Sequence, residues 1–556
     1  MTNFRRMQRR TILKGAGAAA VAGGLGALSV SCGSDDDDAA ADPTATTDAG
    51  DGAVPTTAVS PTVDPNAIQL ADEQKLLVRQ YNEPVGLDPH TLFRIEAENI
   101  ATNVYAALTA YDPLTGNPIP DLATEWEISP DATEYTFKLV DNATWHQDFG
   151  PFTAADVVYS FNRVLDSALG SVYAPELNNM QSVEALDDYT VKFVLKSPDV
   201  NFLYQVGNYH QGQIVKKEAV EKYGADYARN PVGLGPFEMT EWQANSYMVL
   251  KRHEGYHKGP ATLEEIRFNL IQEVNAAEAA IINGEVDVAM SIGTVPERIK
   301  RLTEAGLDLP QVSGASNSVW MFNPEFGQLS DPRLRKAIAY GMDIKSSLEQ
   351  FNPSARQAFS ILPQYMEMYS DAVTKYTYDP QKAKALMAEA GIESFSYKQM
   401  TTAAQGSVSD DILYQQALLK DIGINMELDI VENTVYNSRR TAGDFEVSNR
   451  LYPAVNPDTL LFGYLHPDNL PPKGFNSARY NNPEVVSTLE AARGELDLEK
   501  RKELYAKVQQ IVSDELPYLP YSSGATIWAA YPYVKNVVVD KLSAVNWYPV
   551  VIEAHS

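Results

Sequence analysis

From residue 69 onward, segments with the period of a β-strand alternate with segments that have the period of an α-helix. In FTAADVVYSFNRVLD (152–166), Thr153 and Asp156 predict a capping box, and the apolar residues that follow share one helical face. Similar patterns predict strands in KLLVRQY (75–81), EYTFKLV (134–140), YTVKFVLK (189–196) and SYMVLKR (246–252), and a helix in ENIATNVYAALTAYD (98–112). This interleaving, without a repeat or a low-complexity insert in the body, predicts an α/β or α+β fold.

The length and the charge of the chain narrow the range of functions. With 556 residues, it has room for about three domains. It carries 73 Asp and Glu against 45 Lys and Arg, a net charge of −28, which argues against nucleic acid as a partner because that binding needs a basic face. Its single cysteine excludes an internal disulfide.

Residues 1–31 differ in composition from the rest of the chain. They hold five basic residues and no acid, followed by an apolar run from 15 to 30 that is too short and weak for a stable membrane span. Because QRRTILKG (8–15) resembles a twin-arginine export signal, we predict export of the folded protein. An ordinary secretory signal with extra arginines is the alternative.

The only cysteine, Cys32, stands directly after this signal. Its surroundings resemble the lipobox of bacterial lipoproteins, although Ser29 occupies the position where leucine is usual. We therefore predict a lipidated Cys32 followed by a disordered tether to residue 67, which would span roughly 30 Å. Cleavage by an ordinary signal peptidase after residues 29–31 is the alternative.

The search for catalytic motifs finds one literal match. HEGYH (253–257) has the spacing of a zinc-protease helix, in which two histidines bind the metal and the glutamate acts as a base. Here Gly255 lies inside the motif, KGP follows it, and a predicted strand precedes it. We therefore expect no metal site and no enzyme, and we keep a secreted zinc hydrolase as the alternative function.

Seven segments of the body form a recognisable series: LDPH (87–90), the long stretch from PIPDLATEW to SFNRV (118–164), NPVGLGPFEMTEW (230–242), INGEVDVAM (282–290), SDPRLRKAIAYGMD (330–343), YDPQKAKALMAEAG (378–391) and LPYLP (516–520). In this order they resemble the family 5 solute-binding proteins of ABC importers, the group that binds dipeptides, oligopeptides or nickel. The resemblance covers about residues 70–545.

This resemblance implies an α/β, bilobal fold of the type II periplasmic-binding-protein kind, with a third, inserted domain. The expected domains are lobe I at 68–108, 230–322 and 526–556, the inserted domain at 109–229, and lobe II at 323–525. A ligand would lie between the lobes, which close over it.

The expected partners are a solute or peptide ligand, an ABC permease with its ATPase subunits, and the membrane through the lipid. We expect no cofactor, and a monomer at the outer face of the cell membrane, which is the periplasm in a two-membrane bacterium. Delivery to a receptor instead of a permease is a further alternative.

The resemblance also carries candidate ligand contacts. In peptide-binding members an aspartate that holds the peptide amino group precedes a Pro-containing turn, and aligning RLYPAVNPDTL (450–460) on that turn puts Pro453 at this position and Arg450 nearby. An anionic or polyhydroxylated solute is then favoured over a free-amino peptide, unless Arg450 pairs with a neighbouring carboxylate. The other candidate ligand contacts, each of which could instead be a packing residue, are Phe93, Arg94, Glu96, Tyr173, Trp320, Tyr452 and Tyr521.

Overall fold

A computed structural model describes residues 68–91, 95–293, 295–402, 408–453, 455–471 and 474–555. The predicted signal, Cys32 and the tether lie outside the described residues, as do Phe93 and Arg94. Within the described part of the chain, no helix is long and apolar enough to cross a membrane.

The strands, in chain order, are β1 (Lys75–Gln80), β2 (Thr109–Tyr111), β3 (Pro118–Pro120), β4 (Ala123–Ile128), β5 (Glu134–Leu139), β6 (Met180–Asp187), β7 (Thr190–Leu195), β8 (Phe237–Gln243), β9 (Tyr247–Arg252), β10 (Glu265–Leu270), β11 (Val288–Ala289), β12 (Gln311–Phe322), β13 (Arg356–Gln357), β14 (Phe395–Thr401), β15 (Ile424–Ile430), β16 (Val447–Pro453), β17 (Tyr518–Ile527), β18 (Ala529–Ala530), β19 (Val534–Lys535) and β20 (Val551–Ile552).

The α-helices are α1 (Ile95–Val104), α2 (Ala154–Leu165), α3 (Phe202–Gln205), α4 (Lys217–Tyr223), α5 (Val274–Ile282), α6 (Pro296–Glu304), α7 (Pro332–Gly341), α8 (Ile344–Phe351), α9 (Pro380–Glu389), α10 (Asp410–Asp421), α11 (Asn433–Ala442), α12 (Pro457–Leu465), α13 (Pro483–Gly494) and α14 (Leu498–Glu515). Short 3-10 helices lie at His146–Asp148, Ala174–Leu177, Gly224–Arg229, Gly327–Ser330 and Pro467–Asn469.

Three larger sheets organise these elements. Sheet A has the order β18-β11-β1-β10-β9-β8, sheet B the order β4-β5-β7-β6, and sheet C the order β13-β17-β12-β16-β14-β15. In sheet A, β1 runs parallel to β10 and β11, while β8, β9 and β18 are antiparallel to their neighbours. Sheet B is antiparallel throughout. Sheets A and C both mix parallel and antiparallel pairs and are accompanied by helices, which makes the fold α/β.

The predicted start of α2 is confirmed. Thr153 and Asp156 form the capping box, and the Asp156 carboxylate also accepts hydrogen bonds from the indole of Trp145 (3.2 Å) and from Lys216 (2.9 Å). Because Asp156 satisfies donors from three separate segments, the cap also fixes how the helix packs beside sheet B.

The predicted helix over 98–112 is too long at its C-terminal end. α1 ends at Val104, and 109–111 form β2, which pairs with β3 across a turn held by the Asp112 carboxylate. The end of α1 is packed against Gly233, where a Cβ would lie 1.9 Å from the Val104 carbonyl oxygen. This close approach explains the first glycine of the VGLGP segment.

Buried apolar residues divide the described structure into two parts. One core cluster contains residues of both sheet A and sheet B, from Leu76 through Phe137 to Trp547. Two other clusters surround sheet C, one on each side of β12, and Ile527 at the end of β17 is the one sheet C residue that a described cluster groups with residues of sheet A. We call sheets A and B with their helices body 1, and sheet C with its helices body 2.

Two neighbouring strands connect these bodies. β12 and β17 are antiparallel partners from Gln311↔Ile527 to Met321↔Tyr518, with register shifts between Ser313 and Asn317. Ile527 belongs to a cluster beside sheet A, whereas Leu519 and Tyr521 of the same strand belong to a cluster of sheet C. The shift between Ser313 and Asn317 therefore lies where the chain passes from one body to the other, and a second shift, between Ser318 and Val319, lies within sheet C.

The LDPH segment is held by a buried ion pair. Arg163 of α2 donates to both oxygens of Asp88, at 2.9 and 2.6 Å, and to Nδ1 of His90 at 2.9 Å. Burial alone would raise the pKa of Asp88, but the Arg163 guanidinium outweighs burial and lowers it. Burial and the same guanidinium lower the pKa of His90 to about 4, so this imidazole is neutral. The loop at 86–91 is thereby fixed to α2.

Replacing Arg163 with methionine would leave the Asp88 carboxylate buried without its partner. We expect R163M to lower the free energy of unfolding by about 3–5 kcal/mol. Urea unfolding at pH 7, followed by circular dichroism, measures this change. K75M removes the exposed Lys75–Glu73 pair and should cause no measurable change. Equal effects of the two substitutions would contradict the structural role of the pair.

Candidate functional site

Arg450 lies in β16, directly opposite Val319 of β12 in the antiparallel register. Its side chain is half-buried, and its guanidinium carbon is 5.2 Å from the ring centroid of Tyr464 and 5.5 Å from that of Phe475. Two aromatic faces therefore hold the guanidinium by cation–π contacts and limit its rotamers. This preorganised cation can bind a carboxylate or another acidic group in two-point geometry.

The segment after Arg450 forms the end of a strand and the start of a helix. Tyr452 and Pro453 pair at the backbone with Asn317 and Ser316 of β12. Asn456 then caps α12, since its side chain accepts a hydrogen bond from the Asp458 backbone N–H at 2.9 Å. The Asn-Pro-Asp sequence is thus explained by helix initiation, with proline at the first helical position.

Glu96 and Glu98 lie in the first turn of α1 and are both buried. The Glu98 carboxylate is 3.2 Å from Nε2 of His210, and the His210 ring stacks on Tyr173 with centroids 4.3 Å apart. Burial raises the pKa of the Tyr173 hydroxyl, and the negative charges of Glu98 and Glu176 add to this effect. The predicted residue Tyr173 therefore belongs with Glu98 and His210 to one acidic and aromatic cluster in body 1. The predicted residue Glu96 lies in the same turn of α1, and its charge contributes to raising the pKa of Tyr81.

Asp540 adds a further carboxyl group to this cluster. It accepts hydrogen bonds from the Tyr209 hydroxyl and from the backbone N–H groups of Leu542 and Ala544. Burial raises the pKa of Asp540 to about 6, with a contribution from the charge of Glu98, so this carboxyl takes up a proton under mildly acidic conditions. No local pattern in the sequence points to Glu98, His210, Tyr209 or Asp540, because residues far apart in the chain meet only in the folded structure.

Glu176 and Arg450 both influence Tyr464. Glu176 is half-buried, and burial raises its pKa. Burial also raises the pKa of Tyr464, while the Arg450 charge lowers it and the Glu176 charge raises it. Because Glu176 belongs to body 1 and Arg450 to body 2, opposite charges from the two bodies act on the same hydroxyl group.

Trp320 and Tyr521 lie elsewhere in body 2. Their rings stack with centroids 5.8 Å apart, and the two residues are only 2% and 4% exposed. The Tyr521 hydroxyl donates to Ser347 and accepts from Gln415 inside the sheet C core. Trp320 is on the opposite face of β12 from Val319, and so from Arg450. Ligand contact by Trp320 or Tyr521 stays a prediction without support from their packing.

The HEGYH residues do not form a pair of metal ligands. β9 ends at Arg252, and the motif lies in the turns that follow. Nε2 of His253 is 2.9 Å from the Thr144 carbonyl oxygen, whereas Nε2 of His257 is 3.3 Å from the Asp121 carboxylate. In the described part of the chain, no group of three or more His, Cys, Asp or Glu residues could hold a metal ion.

A cavity of about 570 Å³ does lie beside His253 and is the strongest structural argument for the hydrolase alternative. Of its lining residues, Arg252 pairs with Glu254 at 2.7 Å, and His253 is bonded to the Thr144 carbonyl oxygen. The helix that the zinc chemistry requires is absent from the described residues around this cavity.

We expect elemental analysis of the purified protein to find no bound zinc, both in the wild type and in a variant that carries H253A and H257A. As single substitutions, H257A should cost about 1–3 kcal/mol of unfolding free energy because its side chain is 2% exposed and faces Asp121. H253A serves as the matched control and should cost less. One zinc per chain in the wild type that is absent from the variant with both substitutions would support the hydrolase alternative instead.

Comparison with known proteins identifies the family. The model of the bacterial extracellular solute-binding proteins, family 5 Middle, matches residues 117–470. Heme-binding protein A of Haemophilus influenzae is 26% identical over 510 residues, covering 84% of this chain and 91% of that protein. Di/tripeptide-binding protein 2 of Pseudomonas aeruginosa is 27% identical over 511 residues, covering 86% and 94%.

The fold is confirmed in the same way. The solved structure of HbpA2 from Haemophilus parasuis superposes with a TM-score of 0.77 at 24% identity, covering 86% of this chain and 100% of that one. The predicted α/β, periplasmic-binding-protein-like fold is therefore correct. Since the family model matches well over half of its residues, this chain belongs to the bacterial extracellular solute-binding proteins of family 5.

Proposed function

We propose that this chain is the substrate-binding lipoprotein of an ABC importer. It would capture a solute between body 1 and body 2 and deliver it to a membrane permease. The observation that carries this proposal is the separation of the apolar cores, with β12 and β17 as adjacent connections between the bodies. Two bodies whose main cores are separate can rotate about such strands while each keeps its own main core buried.

The proposed domains follow this division. Lobe I comprises 68–108, 230–322 and 526–556, the inserted domain comprises 109–229, and lobe II comprises 323–525. Lobe I and the inserted domain would move together, because sheets A and B share one core cluster. Ligand contacts with both bodies would supply the free energy that favours the closed arrangement.

The proposed ligand carries an acidic group. Arg450 supports this proposal, since two aromatic rings hold its guanidinium in place. The carboxyl groups of Glu98, Glu176 and Asp540 on body 1 would accept hydrogen bonds from hydroxyl or amide groups of the same ligand. The named relatives bind heme or di- and tripeptides, so the family supports more than one ligand class. Pro453 at the position of the amine anchor argues against recognition of a free amino terminus.

A thermal-shift screen tests the ligand class. The probes are Ala-Ala, N-acetyl-Ala-Ala, citrate, glucose, hemin and the nickel–histidine chelate. We expect the largest stabilisation from a ligand with an acidic group and no advantage of Ala-Ala over its acetylated form. For that ligand, R450A should weaken binding roughly 10- to 100-fold, since a charge-assisted hydrogen bond contributes about 1.5–3 kcal/mol.

R333A is the matched control, because Arg333 is an exposed arginine of body 2 that pairs with Asp331. It should bind the same ligand as tightly as the wild type does. Tight binding of Ala-Ala that R450A leaves unchanged would contradict the proposed role of Arg450 and restore a free-amino peptide as the ligand.

The lipid anchor is tested at the mature amino terminus. We expect mass spectrometry of the protein from membranes of its native host to show a chain that begins at an acylated Cys32. C32S should appear in the soluble fraction with an unmodified terminus, because the acyl chains supply the membrane affinity. A bare Cys32 on the wild-type protein would leave an exported protein without an anchor.

A further inference from the structure

A polar network joins body 1 to body 2 through residues that lie outside β12 and β17. Arg493, in the last turn of α13 in body 2, places Nη2 2.7 Å from Oδ2 of Asp199, which precedes α3 in body 1. Its Nε lies 3.3 Å from Oδ2 of Asp458, in the first turn of α12 in body 2. One guanidinium thus lies between two carboxylates, one from each body.

Further contacts fix the geometry of this network. The Arg493 carbonyl oxygen accepts a hydrogen bond from the Val200 backbone N–H at 2.8 Å, and Asn201 donates to the Tyr505 hydroxyl at 3.1 Å. The Arg493 guanidinium also packs over the Phe462 ring at 4.1 Å. No described core cluster includes residues of α3 together with residues of α12 or α13, so polar contacts join the two bodies at this point.

The charges of the network do not balance. The side chains of Asp199, Asp458 and Arg493 are 4%, 7% and 17% exposed, so two carboxylates share one guanidinium away from water. Excess negative charge in a buried site favours the uptake of a proton by one of the carboxyl groups. The network can therefore reach neutrality when one carboxyl group takes up a proton.

The surroundings indicate that Asp458 takes this proton. Burial raises its pKa to about 7, and the charges of Asp199 and Glu176 act in the same direction, against the opposing effect of Arg493. The hydroxyl of Tyr505 is 3.5 Å from Asp458 and favours the ionised form. His466 stacks on Phe462, and burial lowers its pKa, so it is neutral at neutral pH.

We propose that Arg493 is a latch between the two bodies, and that closing of the latch is coupled to uptake of one proton by the Asp458 carboxyl group. This inference rests on the proposed function, because it takes the bodies to separate when solute leaves. On separation Asp199 leaves Arg493, and water reaches all three side chains. Asp458 then keeps its guanidinium partner and loses both the burial and the neighbouring negative charges.

The direction of the pH effect follows from this cycle. The pKa of Asp458 is about 7 in the closed arrangement and returns toward the ordinary carboxyl range in the open one. Between these two values the closed form binds more protons, so acid favours closing. The effect is complete below the open-state pKa, declines as the pH rises and ends above about 7. One proton changes the closing equilibrium by at most about tenfold per pH unit.

Single-molecule FRET measures this equilibrium directly, without knowledge of the ligand. In a C32S background, L186C in β6 and L413C in α10 provide labelling sites at residues that are 53% and 42% exposed, one on each body. We expect two distance populations, with a closed-to-open ratio that falls several-fold per pH unit between pH 5 and 7. The ratio should become constant above pH 7.5.

Three variants test the assignment. D458N should remove the pH dependence between pH 5 and 7, whereas R493Q should reduce the closed population at every pH. D199N removes one negative charge and should move the midpoint to lower pH. D429N is the matched control: it alters an ion pair with Arg439 inside body 2, and its profile should be that of the wild type.

Circular dichroism and urea unfolding establish that each variant is folded before its profile is compared. Two populations whose pH profile is the same in the wild type, D458N and D199N would overturn the latch while leaving the proposed function intact. A single population at every pH, and with every compound of the ligand screen, would overturn the proposed closing movement and the latch together.

Discussion

The antiparallel pairing of β12 with β17 is the constraint on which the rest of the structure depends. Each strand serves sheet C along part of its length and leads toward sheet A at the other end. Because the two connections are neighbours, their backbone groups satisfy each other and need no further element to cover them. The register shifts between Ser313 and Asn317 interrupt the ladder where the bodies meet, which places the most easily deformed hydrogen bonds at the connection.

The Arg493 network, which joins the bodies away from these strands, is polar, and this has an energetic consequence. Burying an ion pair costs nearly as much in desolvation as it returns in attraction, so such contacts contribute little net free energy. A contact between apolar faces of similar size would hold the bodies together permanently. The network of Arg493, Asp199 and Asp458 therefore suits the proposed closing movement, in which the contact would form and separate repeatedly. Directional hydrogen bonds and ion pairs, rather than the burial of apolar surface, fix its geometry.

Local features were predictable from the sequence, and long-range ones were not. The capping box of Thr153 and Asp156 and the strand before HEGYH depend on neighbouring residues, and both predictions were correct. The helix over 98–112 was predicted too long, because the spacing of its apolar residues also fits the short strand β2.

Contacts such as Glu98–His210 and Asp199–Arg493 join segments 112 and 294 residues apart, and no local pattern in one sequence reveals them. The family resemblance supplied the candidates Arg450 and Tyr173 but also Trp320 and Tyr521, which pack in a core.

The proposed latch and the proposed ligand site are connected through one carboxyl group, that of Glu176. The charge of Glu176 raises the pKa of Asp458 in the latch and that of Tyr464 beside Arg450. A ligand that donates a hydrogen bond or a positive charge to Glu176 would reduce this effect and make Asp458 easier to ionise. Since the pairing of Arg493 with two ionised carboxylates is then less costly, the bound solute and the proton act on the same closing equilibrium. The arrangement of charges thus links occupancy of the cleft to the strength of a contact formed by residues that need not touch the solute.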